Sequence, residues 1–368
     1  MSSLRSLFDS SQSTSKSGRI LELDALRAIA ALNLLLFHYT LVFPNKYGFN
    51  TPLGFDFPYG KYGVQLFFML SGFVNAMTLL KKQEPGKFLS SRVLRIFPVY
   101  WLVVILNVVL LSAFAMFGQS VTPDATLANL TAMPMLFGYE NWEPVTWTLQ
   151  VEILFYGLLI VLFVGGAFQN TVRTMLILLG ISALGLPLIH HLQSASPGSS
   201  TTLIATTLSE VFILEHLPLF AIGISLHEIW SGRGKAWGNG LVICAAAFVF
   251  HLNDHRGHNP VVTTFFIGLL TMSAYGKLPV LRIKPLMFIS GISYALYLFH
   301  NNLGCVIIRW VHDMGLSPLA SIILATVVSV VFATAITKYF EQPLTKYLKS
   351  QISGLHFPFF NRTTPQKV

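Results

Sequence analysis

Seven residues have side chains suited to chemistry yet sit inside strongly apolar sequence: Arg27, His38, Ser71, Arg92, Arg95, Glu152 and His300. Arg27 and His38 open and close the run RAIAALNLLLFH. Eleven residues at about 100° each end only about 20° past three full turns, so on a helix both share one stripe, roughly 16 Å apart. An imidazole titrates near neutrality and suits proton removal from a hydroxyl. The bland alternative is a snorkelling arginine and a hydrogen-bonded histidine. Arg92 and Arg95, in SSRVLRIFPVYW, stand i, i+3 and share a helix face that fits a forked grip on phosphate. They also fit plain topogenic charge, since three lysines precede them. Glu152, in WTLQVEILFY, has three options: holding a histidine, acting as a base, or pairing with a buried arginine. His300, in GISYALYLFHNN, is a second candidate orienting or base residue, and Ser71, in FFMLSGF, is a candidate covalent nucleophile.

The elements that position these residues follow from composition. The 368-residue chain is 53% hydrophobic and only 11% charged. That is under half the charge of a soluble domain, so the surface cannot be water-facing throughout. Ten apolar runs approach the roughly 20 residues a spanning helix needs: 23–43, 62–80, 93–117, 146–165, 172–190, 203–226, 238–252, 259–275, 285–309 and 317–340. The seventh and eighth are short. The expected fold is all-α, a polytopic membrane bundle of about ten transmembrane helices. One membrane domain, 20–349, is expected between a disordered cytoplasmic tail, 1–19, and a cytoplasmic tail, 350–368. No removable signal peptide is expected at the start.

The net charge of +9 is distributed by topology. With both termini in the cytoplasm, 19 Lys and Arg fall on inner segments and 3 (Lys46, Lys61 and Arg256) on outer loops. That asymmetry argues against nucleic acid. On this topology Arg27, Arg92 and Arg95 mark a cytoplasmic mouth, while His38, Ser71, Glu152 and His300 fall near one deeper level. The expectation is a site that takes an anionic ligand from the cytoplasm. Ionisable groups in spans cost on the order of 2.5–3.5 kcal/mol each, which makes every one a candidate functional residue.

Other features are weaker. HLNDHRGHN, 251–259, gathers three histidines and an aspartate, but its spacing matches no closed zinc site, and it reads as a solvated polar loop. Asn129 and Asn361 match glycosylation sequons at chance level. Cys244 and Cys305 lie in apolar runs and say nothing of redox compartment. No Gly-rich nucleotide loop or nucleophile elbow occurs, and no metal is expected.

Six blocks carry a resemblance: LDALRAIAALNLLLFH, YGVQLFFMLSGF, RVLRIFPVYW, WTLQVEILFY, ISYALYLFH and YFEQPL. In this order, from residue 23 to 344, they resemble the acyltransferase-3 family of membrane O-acyltransferases. Two departures are mild, Asp-Ala-Leu-Arg for the more usual Asp-Gly-Leu-Arg and Trp-Thr-Leu for Trp-Ser-Leu. The resemblance implies transfer of an acyl group, most often acetyl, from cytoplasmic acyl-CoA to a hydroxyl of a polysaccharide or glycolipid at the inner (plasma) membrane. It implies His38 as the catalytic histidine, Arg27 as its signature partner, and Arg92 and Arg95 as contacts to CoA phosphates. The rival from another class is a transporter or flippase of a lipid-linked sugar or acyl compound using a His/Glu proton relay. Against it, no inverted repeat and no paired broken helices are evident.

Overall fold

The computed structural model describes residues 19–114, 117–196, 198–254 and 257–352. The sequence-based expectations for 1–18 and 353–368, for Arg256 and for the Asn361 sequon lie outside the described residues. Fourteen α-helices, with short 3-10 and π turns and no strand, make up the described residues. They are α1 (Leu21–Phe37), α2 (Phe43–Tyr47), α3 (Gly63–Lys82), α4 (Pro85–Ala113), α5 (Pro123–Leu130), α6 (Trp147–Val164), α7 (Thr171–Ala195), α8 (Ser200–Val211), α9 (Leu217–Trp230), α10 (Ala236–Leu252), α11 (Pro260–Ala274), α12 (Lys284–Asp313), α13 (Pro318–Ile336) and α14 (Gln342–Ile352). Their starts follow local chemistry. The side chains of Thr122, Asn170, Ser199, Asn259 and Ser317 accept from backbone N–H groups of the first turns they precede. Proline stands in the first turn of α4, α5, α9, α11 and α13, where a missing N–H removes no helical bond.

Seven continuous helical segments are long and apolar enough to cross a membrane: Leu21–Tyr47, Pro58–Lys82, Pro85–Ala113, Pro144–Val164, Ala167–Ala195, Lys284–Asp313 and Pro318–Gln351. Three apolar helices are shorter, at 14, 17 and 15 residues for α9, α10 and α11. At 1.5 Å per residue these reach only about 21–26 Å, less than a hydrocarbon core of about 30 Å. The expected sixth span, 203–226, is a broken segment, with α8 ending at Val211 and α9 starting at Leu217. Between them Ile213 takes a positive φ of 50°, a conformation rare for a β-branched residue. Its neighbour Leu214 donates no helical continuity. Instead the Leu214 carbonyl accepts from Ser182 Oγ on α7 at 2.7 Å, and Pro218 opens the next helix. Large apolar side chains lie outward on these helices, with Leu184 78%, Trp237 73% and Val261 72% exposed, a surface made for lipid.

The chain forms two compact units. The first takes the chain up to Leu41, Asp56–Val74 and Asn170–Tyr294. In it the turn Pro58–Tyr62 packs on α1, and α9 packs along α10 and against α7. Where α3 and α9 cross, Gly72 and Gly223 bring two backbones into contact. A Cβ on Gly72 would collide with the Phe220 carbonyl, and one on Gly223 with the Met69 carbonyl. Small residues at such crossings are how helices gain packing energy in lipid.

The second unit takes Val42–Phe55, Asn75–Gln169 and the chain from Ala295 onward. Its long connection between α4 and α6 is pinned by a buried polar network. Tyr100 donates to the Asn129 carbonyl at 2.7 Å, and the Trp142 N–H donates to Asn129 Oδ1 at 3.1 Å. Asn129 is 1% exposed with its amide fully engaged, so it is no glycan acceptor. Glu143, just ahead of the fourth span, accepts from Asn301 Nδ2 at 3.0 Å and from the Asn302 N–H at 3.3 Å. Asn302 Nδ2 in turn donates to Asn107 Oδ1 at 2.6 Å and to the Trp142 carbonyl at 2.7 Å.

Two predictions follow from this packing. Substituting Gly72 or Gly223 by Val should lower the thermal-unfolding midpoint in detergent, at a cost of at least ~1–3 kcal/mol from overpacking. Gly180→Val on α7, where a Cβ meets open space, serves as the control. Equal midpoints for all three would refute the crossing. The second concerns Glu143, whose pKa burial raises from 4.5 to about 8 against the pull of its amide donors. The folded state therefore favours the neutral acid. Its stabilising contribution is complete below the ordinary value and is lost as pH rises from about 4.5 through about 8. Glu143→Gln should flatten that part of the stability profile. A wild-type midpoint that rises across this range, or a profile unchanged in Glu143→Gln, would contradict the assignment.

Candidate active site

In the first unit α1 is unbroken from Leu21 to Phe37, so Arg27 and His38 stand on one continuous helix. Arg27 is half-buried, and its Nη1 donates to Asp24 Oδ1 at 3.2 Å. Asp24 also takes the Arg19 guanidinium at 2.8 Å. Two residues earlier, the fully buried Glu22 accepts from Arg282 Nε at 2.8 Å. This end of α1 thus alternates acids and bases in an order that the basic residues alone did not reveal.

His38 is half-buried and begins a π-helical turn, His38–Val42. The turn has a covalent cause. Pro44 has no N–H for the carbonyl of Thr40, so the helix must widen or break there. Thr40 compensates on both sides, donating from Oγ1 to the Leu36 carbonyl at 2.7 Å and accepting from the Phe57 N–H at 3.1 Å. π turns recur at functional sites because they shift the direction of a side chain relative to its helix. Ser71 lies one residue before Gly72 and is 8% exposed.

In the second unit Arg92 lies between two rings, its guanidinium 5.1 Å from the Phe88 centroid and 5.7 Å from that of Tyr156. Such cation–π contacts strengthen as water is removed. Arg92 Nη2 reaches Thr78 Oγ1 at 3.5 Å, and its Nε is buried without a hydrogen-bond partner. Tyr156 donates a hydrogen bond to Glu152 and lies within electrostatic reach of Arg92 and Arg95. Glu152 lies within electrostatic reach of Arg92 as well as of Tyr156. Tyr156 was not singled out from sequence, although its i, i+4 spacing from Glu152 was the available signal. Arg95 is exposed and faces the charge of Glu341. Glu341 closes a second π turn, Thr337–Glu341, ahead of Pro343, and accepts from Thr337 Oγ1 at 3.2 Å.

His300 is 1% exposed. Its Nδ1 lies 2.8 Å from the Tyr297 carbonyl and 3.2 Å from that of Leu296, so it donates back into its own helix. Tyr297 in turn bonds Thr148 at 2.6 Å and the Val145 carbonyl at 2.8 Å. Among the described residues, no three His, Cys, Asp or Glu side chains converge as a metal site.

An acyltransferase-domain family model matches residues 20–338. The exopolysaccharide production protein ExoZ of Rhizobium meliloti (strain 1021) is 28% identical over 290 residues, covering 74% of this chain and 86% of that protein. No solved structure matches the chain. The matched span holds the blocks from Leu23 to His300 and every candidate site residue, and the chain belongs to the acyltransferase-3 family.

Proposed function

We propose that this protein is a membrane O-acyltransferase that moves an acyl group, acetyl by preference, from cytoplasmic acyl-CoA to a hydroxyl of an extracellular polysaccharide. Family membership over nearly the whole chain supports the reaction class. The relative named for exopolysaccharide production supports the acceptor class. The observation that carries the chemistry is the pair on α1, with Arg27 on its cytoplasmic stretch and His38 at the π turn eleven residues on. The topology proposed with it has ten spans, both termini cytoplasmic and the inner membrane as location, resting on the 19-to-3 Lys/Arg asymmetry.

In the proposed reaction His38 takes the proton of the acceptor hydroxyl. The alkoxide attacks the thioester carbonyl, the C–S bond breaks, and the departing thiolate recovers the proton from the imidazolium. Arg95, exposed beside Glu341, is the residue best presented to a CoA phosphate, and Arg27 is a further contact. Arg92 is held by Thr78 and two rings, which suits it to fix the shape and charge of this stretch as well as to add a phosphate contact. Glu152, bonded to Tyr156, and His300 are the candidate orienting groups, and Ser71 is the candidate nucleophile of a lower-ranked covalent route.

The test is CoA release by purified protein supplied with acetyl-CoA and a mixture of membrane glycans. His38→Ala should lower kcat by ~10²–10⁴-fold. Arg95→Ala should raise the KM for acyl-CoA by ~10–100-fold, the worth of a charged hydrogen bond, with kcat little changed. Arg92→Lys keeps the charge but loses the planar stack, and should impair turnover more than Arg95→Lys. Wild type that neither binds nor consumes acetyl-, succinyl- or longer acyl-CoA would sink the enzyme reading and bring the transporter forward.

A further inference from the structure

In the stretch 251–259, read from sequence as a solvated polar loop, the described residues on either side of 255–256 make defined contacts. The His258 N–H donates to Asp254 Oδ2, and His258 Nδ1 lies 2.7 Å from Asp254 Oδ1. A carboxylate can only accept, so Nδ1 carries the proton and turns the opposite edge of the ring, Nε2, away from Asp254. The pair is largely enclosed, with side-chain exposures of 15% for His258 and 7% for Asp254. The imidazole packs against Phe250, with centroids 5.2 Å apart, and against Tyr62 at 5.9 Å. Tyr62 OH accepts from the Asn259 N–H at 3.0 Å, and Tyr59 stacks over Tyr62 at 6.3 Å and 27° while remaining 62% exposed.

A second chain of polar groups starts one turn further along the same helices. Thr263 Oγ1 donates to Gln65 Oε1 at 3.1 Å and lies 3.1 Å from His251 Nε2. Gln65 is three residues after Tyr62, and Thr263 four after Asn259, so the two chains share the same helix faces. Gln65 is 2% exposed, yet its Nε2 has no partner. An amide donor left bare in a buried place is costly, and among the described residues no acceptor meets this one.

We propose that this end of the first unit binds a sugar ring of the acceptor, with Tyr59 as the stacking platform and the Asp254-held His258 hydrogen-bonding a ring hydroxyl through Nε2. The chemistry fits a neutral carbohydrate. A pyranose offers apolar C–H faces to an aromatic plane and hydroxyls that both donate and accept, which suits them to a hydrogen bond with the imidazole Nε2. A single carboxylate already engaged with its histidine disfavours an anionic headgroup, and no metal set converges here. On the topology that leaves only Lys46, Lys61 and Arg256 outside, Tyr59 and Asp254 stand on outer connections, where a polysaccharide under export would arrive. The inference rests on the acyltransferase reading and its orientation, and it names the acceptor's place.

The experiment uses full-length protein in detergent and, as probe, oligosaccharides cut from the source organism's extracellular polysaccharide and stripped of O-acyl groups by mild base. Binding is measured by calorimetry, and initial rates are measured with acetyl-CoA. Tyr59→Ala and His258→Gln should each weaken oligosaccharide binding and raise its KM about tenfold or more, with the KM for acetyl-CoA unchanged. Tyr59→Ala alters an exposed ring, so it keeps the test open if His258→Gln unfolds, and size-exclusion and melting profiles identify that case. Folded variants of both residues with wild-type affinity for the sugar would overturn the proposal. So would wild type that turns over acetyl-CoA yet binds no oligosaccharide. Wild type that binds the sugar through these residues but releases no CoA would uphold the subsite and refute the transferase reading, and wild type that does neither would refute both.

Discussion

Hydrocarbon offers no hydrogen bonds, so each polar group that this chain carries into a span must find its partner within the protein. That constraint organises the interior. Glu22 meets Arg282, Asp24 gathers Arg19 and Arg27, Glu152 meets Tyr156 beside Arg92, and His300 turns back on its own helix. Paired in this way, an ionisable residue is tolerable without having any chemical role. Polarity inside a span therefore marks a candidate, and what separates a working group from a satisfied one is what its partners leave available. Arg95, exposed beside Glu341, and His38, half-buried at a distorted turn, keep more surface than His300 does.

Proline supplies the second constraint. Pro44 and Pro343 each follow a π turn, and in each case the turn carries a residue from a family block, His38 in one and Glu341 in the other. A missing N–H inside lipid cannot be made good by water, so the helix absorbs it by widening over one turn. The widening comes with fixed side-chain bonds, from Thr40 to Leu36 in the first turn and from Thr337 to Glu341 in the second. A side chain re-aimed by the backbone itself needs fewer neighbours to hold it in place.

Hydropathy made most of the helices legible, because a run long enough to cross lipid is visible one residue at a time. The break at Phe212–His216 was not legible. Phe212, Ile213 and Leu214 are apolar enough to continue a span, and Glu215, His216 and Pro218 were the signals of a new start. Local pairs were readable in principle, as Glu152 with Tyr156 and Asp254 with His258 both stand i, i+4. The second is hidden because three histidines and an aspartate beside a glycine look like a water-exposed loop, whereas Phe250 and Tyr62 pack on His258. The network of Asn107, Glu143, Asn301 and Asn302 was beyond sequence reasoning. Its members lie up to 195 positions apart, and no periodicity links them.

The broken sixth segment bears on the choice between enzyme and transporter. Transporters of known architecture place interrupted helices in corresponding positions of two repeats, so that half-helix ends face a shared substrate. Here α8 and α9 make one such interruption, and the other apolar segments below spanning length, α10 and α11, follow it directly in the chain with caps at ordinary turns. The Ile213 turn is closed by Leu186, Ile189 and Leu214, an apolar cluster, and its carbonyl at Leu214 is taken by Ser182. The backbone groups of the turn are engaged within it, the Leu214 N–H on the Ser209 carbonyl and the His216 and Leu217 N–H groups on the Ile213 carbonyl. The interruption reads as a packing solution for a proline in lipid, which removes the feature that would most favour transport over acyl transfer.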